Sequence, residues 1–193
     1  MIIDKLDKNT INLISAQMSQ DLVKHPLFMF FCSDMNKRSA FIQDYFKYYL
    51  PEWLKNDVVI MNDEGTALVV LSDPYEFEYK FKGINAYKMK KYSFASTVFV
   101  HRENLETICE ILFPEQEQSL VMTVYAGTLA SQKDVLNLVA QAREYAQTNG
   151  IMLAYDTFSR RMIQPIEQLG FTVAYSKQFL NTRFLETVMI CNK

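Results

Sequence analysis

Apolar residues recur at helical spacing early in the chain. Ile11, Ile14, Met18 and Leu22 follow Thr10, a residue suited to cap a helix. Pro26 is expected to stop that pattern. A second helix is predicted over residues 36–50, with Phe41, Ile42, Tyr45, Phe46 and Tyr49 as its buried stripe and Pro51 as its end. Two β-rich runs follow, at 58–61 and 66–72. Asn62-Asp63-Glu64-Gly65 joins them as a hairpin turn, and Asp73-Pro74 breaks the second run. Residues 75–113 read as a helical insert. Ile84, Tyr87, Lys88 and Lys91 keep a loose helical rhythm. Residues 104–112 are clearer, with Leu105, Ile108, Ile111 and Leu112 on one side and Phe113-Pro114 as the stop.

The last third has the sharpest pattern. Residues 120–125 read LVMTVY, a near-continuous apolar run of the kind a buried parallel strand shows. A strong helix is predicted next. Ser131 and Asp134 have capping-box spacing, and Val135, Leu138, Val139, Ala142, Tyr145 and Ala146 form its apolar face. Asn149-Gly150 supplies its stop. A second buried strand at 151–155 completes a βαβ unit. A short helix at 160–169, ending at Gly170, precedes two more strands at 171–175 and about 184–191. The expected fold class is therefore α/β, a mixed sheet with helices, in one domain spanning 1–193.

Composition narrows the chemistry. The chain has 193 residues, 49% of them hydrophobic, and this is an ordinary globular profile. Its net charge of −2 argues against bulk electrostatic capture of nucleic acid. Five glycines stand no closer than 18 residues apart, so no glycine-rich phosphate loop or nucleophile elbow can form. His25, His101, Cys32, Cys109 and Cys191 lie too far apart for any metal-ligand spacing, and no metal site is expected. The scattered cysteines fit reduced thiols and a cytoplasmic setting. MIIDKLDKNT has no apolar stretch for a signal peptide, and no apolar run approaches a membrane span.

Several short words stand in a telling order. His25-Pro26-Leu27-Phe28 opens the first half, and residues 67–74 read ALVVLSDP. Residues 120–124 fill a central strand. Asn149-Gly150-Ile151 leads into the next, and Tyr155-Asp156-Thr157 closes it. Residues 166–171 read IEQLGF. In this order and spacing they resemble the GNAT (N-acetyltransferase) superfamily over most of the chain, with 118–193 the most family-like part. The resemblance implies a GNAT-like acyl-CoA N-acyltransferase fold carrying the 75–113 insert. It implies acetyl-CoA as cofactor, with its pantetheine arm along the strand that holds Val124. The pyrophosphate would lie on backbone amides of Ser131, Gln132, Lys133, Asp134 and Val135, held by unpaired N–H groups and the helix dipole. It also implies transfer of acetyl to a primary amine on a small molecule or peptide.

The sequence departs from that family at both chemical positions. The family's loop glycines fall on Lys133 and Val135, or on Val135 and Asn137 in a shifted register. Asp134 puts a negative charge in the first helical turn, where it supports the helix and competes with a bound anion. The family's tyrosine acid falls on Ile166, and its asparagine on Ser159. Asp156, at the end of a buried strand beside the acceptor cleft, is the candidate base or amine ligand. Tyr125, or Tyr155, is the candidate acid. The alternative is a non-catalytic GNAT-fold protein that binds a small ligand or a protein partner. Ser131 and Asp134 then form a plain helix cap. Residues 80–102 hold six basic residues and no acid, with Tyr87, Tyr92 and Phe94 among them. They read as a solvated helix face, as a lure for coenzyme A phosphates, or as a nucleic-acid surface.

Overall fold

The computed structural model describes residues 1–75, 89, 92, 94–113, 118–179 and 182–191, with backbone only for 94–99. One seven-stranded sheet organises these residues. In chain order its strands are β1 (Ile2–Ile3), β2 (Val58–Met61), β3 (Ala67–Ser72), β4 (Ser119–Ala126), β5 (Met152–Thr157), β6 (Thr172–Gln178) and β7 (Leu185–Cys191). The spatial order is β1-β2-β3-β4-β5-β7-β6. Every pairing is antiparallel except β4 with β5, the parallel pair that the crossover through one helix requires. This is the mixed α/β class that the pattern predicts.

Strand alternation divides the helices between the two faces of the sheet. The helices are α1 (Lys8–Asp21), α2 (Pro26–Phe31), α3 (Met35–Asn56), α4 (Phe94–Leu112), α5 (Gln132–Thr148) and α6 (Arg160–Glu167). On one face Leu68, Val70 and Tyr125 pack with α1, α2 and α3. Farther along the same face Val121, Ala154 and Val188 pack against Leu105, Ile108 and Cys109 of α4. The opposite face carries Val69, Leu71, Met122, Leu153 and Met189 against Leu138, Val139 and Ala142 of α5 and Ile166 of α6. Both sides of the central strands are thus buried, which is why LVMTVY is continuously apolar. Among the described residues, no helix is long and apolar enough to cross a membrane.

Three helix boundaries differ from the pattern. Asp7, not Thr10, caps α1. Its carboxylate accepts from the backbone N–H of Asn9 and Thr10, at 2.7 and 3.1 Å, and from the Thr10 hydroxyl at 2.6 Å. Pro26 does not simply end a helix but starts α2 at its first position, where no N–H is needed. Pro51 lies inside α3, which runs on to Asn56. Packing overrides the lost hydrogen bond there: Trp53, two residues further, is buried and stacks on Tyr125 with ring centroids 5.5 Å apart. The hairpin forms as expected. Gly65 takes φ 67°, and the Asn62 carboxamide oxygen accepts from the N–H of Thr66 and Ala67. The looser rhythm at 84–91 falls largely outside the described residues. The clearer helix at 104–112 proves to be the end of α4, which begins at Phe94.

Trp53→Ala should destabilise the chain by about 3–5 kcal/mol, because it opens a cavity against Tyr45, Phe46 and Tyr125. Urea unfolding followed by circular dichroism measures it.

Candidate functional site

The parallel ladder between β4 and β5 is short. It runs from Ser119↔Met152 to Met122↔Tyr155 and stops. Beyond that point β4 continues only with β3, through Thr123↔Val70 to Ala126↔Ala67. β5 continues only with β7, through Asp156↔Val188 and Thr157↔Thr187. The two central strands therefore part, and a cleft of about 160 Å³ opens between them. Thr123, Val124 and Ala126 line one side, and Tyr155, Asp156 and Thr157 the other. Val135, from the first turn of α5, and Ser159 and Met162, from the start of α6, complete it together with His25 and Leu27.

Asp156 stands at the cleft with only 6% of its surface exposed. Its Oδ2 lies 3.1 Å from His101 Nε2, and the same nitrogen lies 3.4 Å from Glu186 Oε1. Asn104, one turn after His101 on α4, donates to Glu186 Oε2 at 2.5 Å. Phe31, Phe158 and Phe179 surround the His101 ring, with centroids 5.6–5.9 Å away. Burial alone would push the His101 imidazole down. The hydrogen bond to Asp156 and the close Glu186 carboxylate outweigh it and hold it above its ordinary value. Burial pushes the Glu186 carboxyl up, against the opposing pull of the His101 ring and the bond from Asn104. His25 is half-buried, and desolvation lowers its imidazole to about 4 despite the nearby charge of Asp156. It is a neutral ring at the cleft.

The other expected residues distribute unevenly. Val124 and Val135 line the cleft. Ser131, Gln132, Lys133 and Asp134 form the start of α5, and here the capping box is complete. The Ser131 N–H and hydroxyl donate to Asp134 Oδ2 at 2.9 and 2.6 Å, and the Asp134 N–H donates to Ser131 Oγ at 3.1 Å. The carboxylate sits where the helix would otherwise present bare N–H groups. A second acid supports the preceding loop. Asp21, at the end of α1, accepts from the Thr128 hydroxyl at 2.5 Å and from the Gln17 carboxamide at 2.8 Å. A Cβ on Gly127 would strike the Asp21 carboxylate, so a larger residue there must push that side chain aside.

Tyr125 is not at the cleft. It lies in the aromatic core, 1% exposed, with its hydroxyl 3.0 Å from that of Tyr45. Burial raises its phenol well above the ordinary value. The strand alternation that puts Val124 at the cleft turns Tyr125 toward α3. Tyr155 does line the cleft, its phenol raised by burial to about 12. Ile166, which takes the place of the family's tyrosine acid, is fully buried in the core.

His101, the first residue of the polar run HREN at 101–104, is a buried residue in the middle of α4. One signal points to it. The apolar residues Leu105 and Ile108, projected back one turn, place His101 and Asn104 on the buried face. Glu186 has no such signal, since β7 is buried on both sides. His25 also escapes spacing arguments. The absence of metal-ligand spacing in the sequence likewise gives no hint of the three donors that the fold brings together at His101, Asp156 and Glu186.

No family model matches the chain, and no curated protein sequence does. Solved structures do match. A protein from Corynebacterium glutamicum, described as histone acetyltransferase HPA2 and related acetyltransferase, aligns at TM-score 0.63 and 13% identity, over 100% of this chain and 95% of its own. A polyamine N-acetyltransferase of Drosophila melanogaster, which forms N-acetylagmatine, aligns at TM-score 0.61 and 13% identity, over 100% of both chains. The protein yncA of Salmonella typhimurium, solved with its cofactor acetyl-CoA, aligns at 0.55 and 15% identity, over 100% of this chain and 92% of its own.

Ser131→Ala should cost about 1 kcal/mol by removing the α5 cap, read as a lower urea midpoint with an unchanged slope. At these identities the match is one of fold, and the fold of this chain is that of the GNAT N-acetyltransferases.

Proposed function

We propose that the protein is an N-acyltransferase that passes acetyl from acetyl-CoA directly to a primary amine. The observation that carries this reading is the cleft itself, where β4 turns an unpaired backbone edge toward a buried carboxylate, Asp156, on the opposing strand. The pantetheine arm would pair with the free edge of residues 123–126, beside Val124. The thioester carbonyl would then lie within reach of an amine drawn in by the negative charge of Asp156. That charge is worth most in a water-poor cleft. Attack forms the C–N bond and breaks the C–S bond. Of the two protons the ammonium must lose, one passes through Asp156 Oδ1 to water in the cleft, and one goes to the departing thiolate. The Oδ1 atom has no hydrogen-bond partner among the described residues, so it is available for this role. Small amines are the favoured acceptors, in keeping with the agmatine product of the Drosophila neighbour.

One observation favours the second reading, a GNAT-fold protein that binds a ligand without catalysis. Asp134 occupies the α5 N-terminus, the place where the family holds the pyrophosphate. The resemblance puts Ser131, Gln132, Lys133 and Val135 around that same place. A cofactor bound there must displace or bypass the Asp134 carboxylate, so weak binding is expected.

Thermal unfolding with increasing acetyl-CoA separates the cases. At about 100 times the dissociation constant a ligand adds roughly 2.7 kcal/mol, a rise of about 5–10 °C for a chain of this size. With agmatine present, mass spectrometry should then detect its acetylated form. Asp156→Asn should lower kcat/KM by about 10²–10⁴-fold while the acetyl-CoA shift persists. A shift without acetylation of any amine in a polyamine panel supports the second reading. No shift at millimolar acetyl-CoA removes the first.

A further inference from the structure

Two carboxylates and one imidazole are buried together where α4, β5 and β7 meet. Glu186 is 1% exposed, His101 2% and Asp156 6%. With both carboxylates ionised, the three carry a net negative charge even when the imidazole is protonated. No lysine or arginine among the described residues forms an ion pair with either carboxylate. A single N–H at His101 Nε2 faces both Asp156 Oδ2 at 3.1 Å and Glu186 Oε1 at 3.4 Å, and serves the longer contact poorly. Among the described residues, Glu186 Oε1 and Asp156 Oδ1 have no hydrogen-bond partner. Buried carboxylates in this state are costly unless something positive joins them.

The distances suggest what joins them. Metal–ligand bonds of about 2.0–2.2 Å separate neighbouring donors by about 3.0 Å in octahedral and about 3.4 Å in tetrahedral geometry. The two nitrogen–oxygen separations fall in that range. The three donor atoms all lie within 4.8 Å of one another. We infer that His101 Nε2, Asp156 Oδ2 and Glu186 Oε1 form a binding site for a first-row divalent cation, of which Zn²⁺ is the natural probe. One imidazole with two carboxylates is a borderline donor set that suits Zn²⁺, Mn²⁺ or Fe²⁺ better than Mg²⁺ or Ca²⁺.

The surroundings fit this use. Asn104 holds the second oxygen of Glu186 at 2.5 Å and so aims its Oε1 at the site, as outer-shell partners of metal ligands do. Phe31, Phe158 and Phe179 pack around the imidazole ring and hold its plane. Asp156 lines the cleft, which gives the ion a way in and a position open to water or ligand. The cation ties α4, on the 75–113 insert, to two strands of the sheet. It also draws charge from Asp156 Oδ2 and leaves Oδ1 to orient whatever occupies the cleft. The site stands on its own geometry, whether or not the cleft takes a thioester.

The test uses the full chain, stripped with a chelator and titrated with Zn²⁺. Isothermal titration should find one equivalent bound. The chain has only two histidines, so imidazole nuclear magnetic resonance resolves the ligand directly. Zn²⁺ should move the His101 signals and leave those of His25 in place. Asn104→Ala removes no ligand and leaves the carboxylates intact, and it should weaken binding by about 10–100-fold. Glu186→Gln should weaken it further. Should that variant fail to fold, Asn104→Ala still decides the matter. The inference is overturned if Zn²⁺ does not bind, if it binds with His101 unmoved, as capture by Cys32, Cys109 or Cys191 would show, or if Asn104→Ala leaves the affinity unchanged. A His101 signal that answers to pH alone would identify a plain imidazolium–carboxylate cluster instead.

Discussion

The parallel ladder between β4 and β5 can extend only as far as Tyr155, and much else is arranged around where it ends. A parallel pair needs a crossover, and α5 supplies it. When the pair parts, both strands must find other partners or leave backbone groups bare in the interior. β5 completes its ladder with β7, and β4 completes its outer edge with β3. The inner edges stay unpaired, and this creates a polar slot in an otherwise apolar sheet. The slot then dictates which side chains can stand at it: Val124 and Val135 as walls, Asp156 and Ser159 as polar groups.

The same sheet explains why Asp156 meets His101. Residues opposite each other across β5 and β7 share a face, so Asp156 and Val188 point together, and Glu186 points the same way two residues on. That face is covered by α4, whose inward stripe begins with His101 and Asn104. Two acids are thereby buried under a helix that offers one imidazole and one carboxamide. A sheet face built for packing alone would hold apolar residues here, as it does at Ala154 and Val188. Replacing such a polar group by well-packed apolar residues is commonly neutral or stabilising. The three polar groups are therefore not explained by packing stability alone.

How far the sequence reveals these features depends on how local their causes are. The hairpin follows from Asn62 and Gly65, and α5 follows from Ser131, Asp134 and one apolar face. Both rest on contacts within a few residues. Pro51 misleads because a local penalty is outweighed by Trp53 packing on Tyr125, 72 positions away in sequence. Tyr125 misleads because the end of a strand is not the same as the side of a strand that faces a cleft. Asp156 is legible as the acid that closes a buried run. Its partners are not, since His101, Asp156 and Glu186 meet only through the sheet order β4-β5-β7 and the placement of α4. Spacing rules for metal and catalytic motifs detect ligands on one element, and here each comes from a different one.

Fold and chemistry separate most clearly at the two helices that begin at the cleft. The α5 terminus is closed by its own acid, with Asp21 holding the loop before it. The α6 terminus has no side-chain cap, and its first turn carries Arg160 and Arg161. For a dipole with its positive end at the N-terminus, the acid at α5 stabilises the helix and the two arginines at α6 oppose it. An anionic group entering the cleft would be repelled at α5 and attracted at α6, the reverse of what the resemblance implies. The shared fold fixes where the central strands part and where α5 and α6 begin. The charges at the helix ends bear on which ligand charge the cleft accepts, and these are properties of this sequence rather than of the fold.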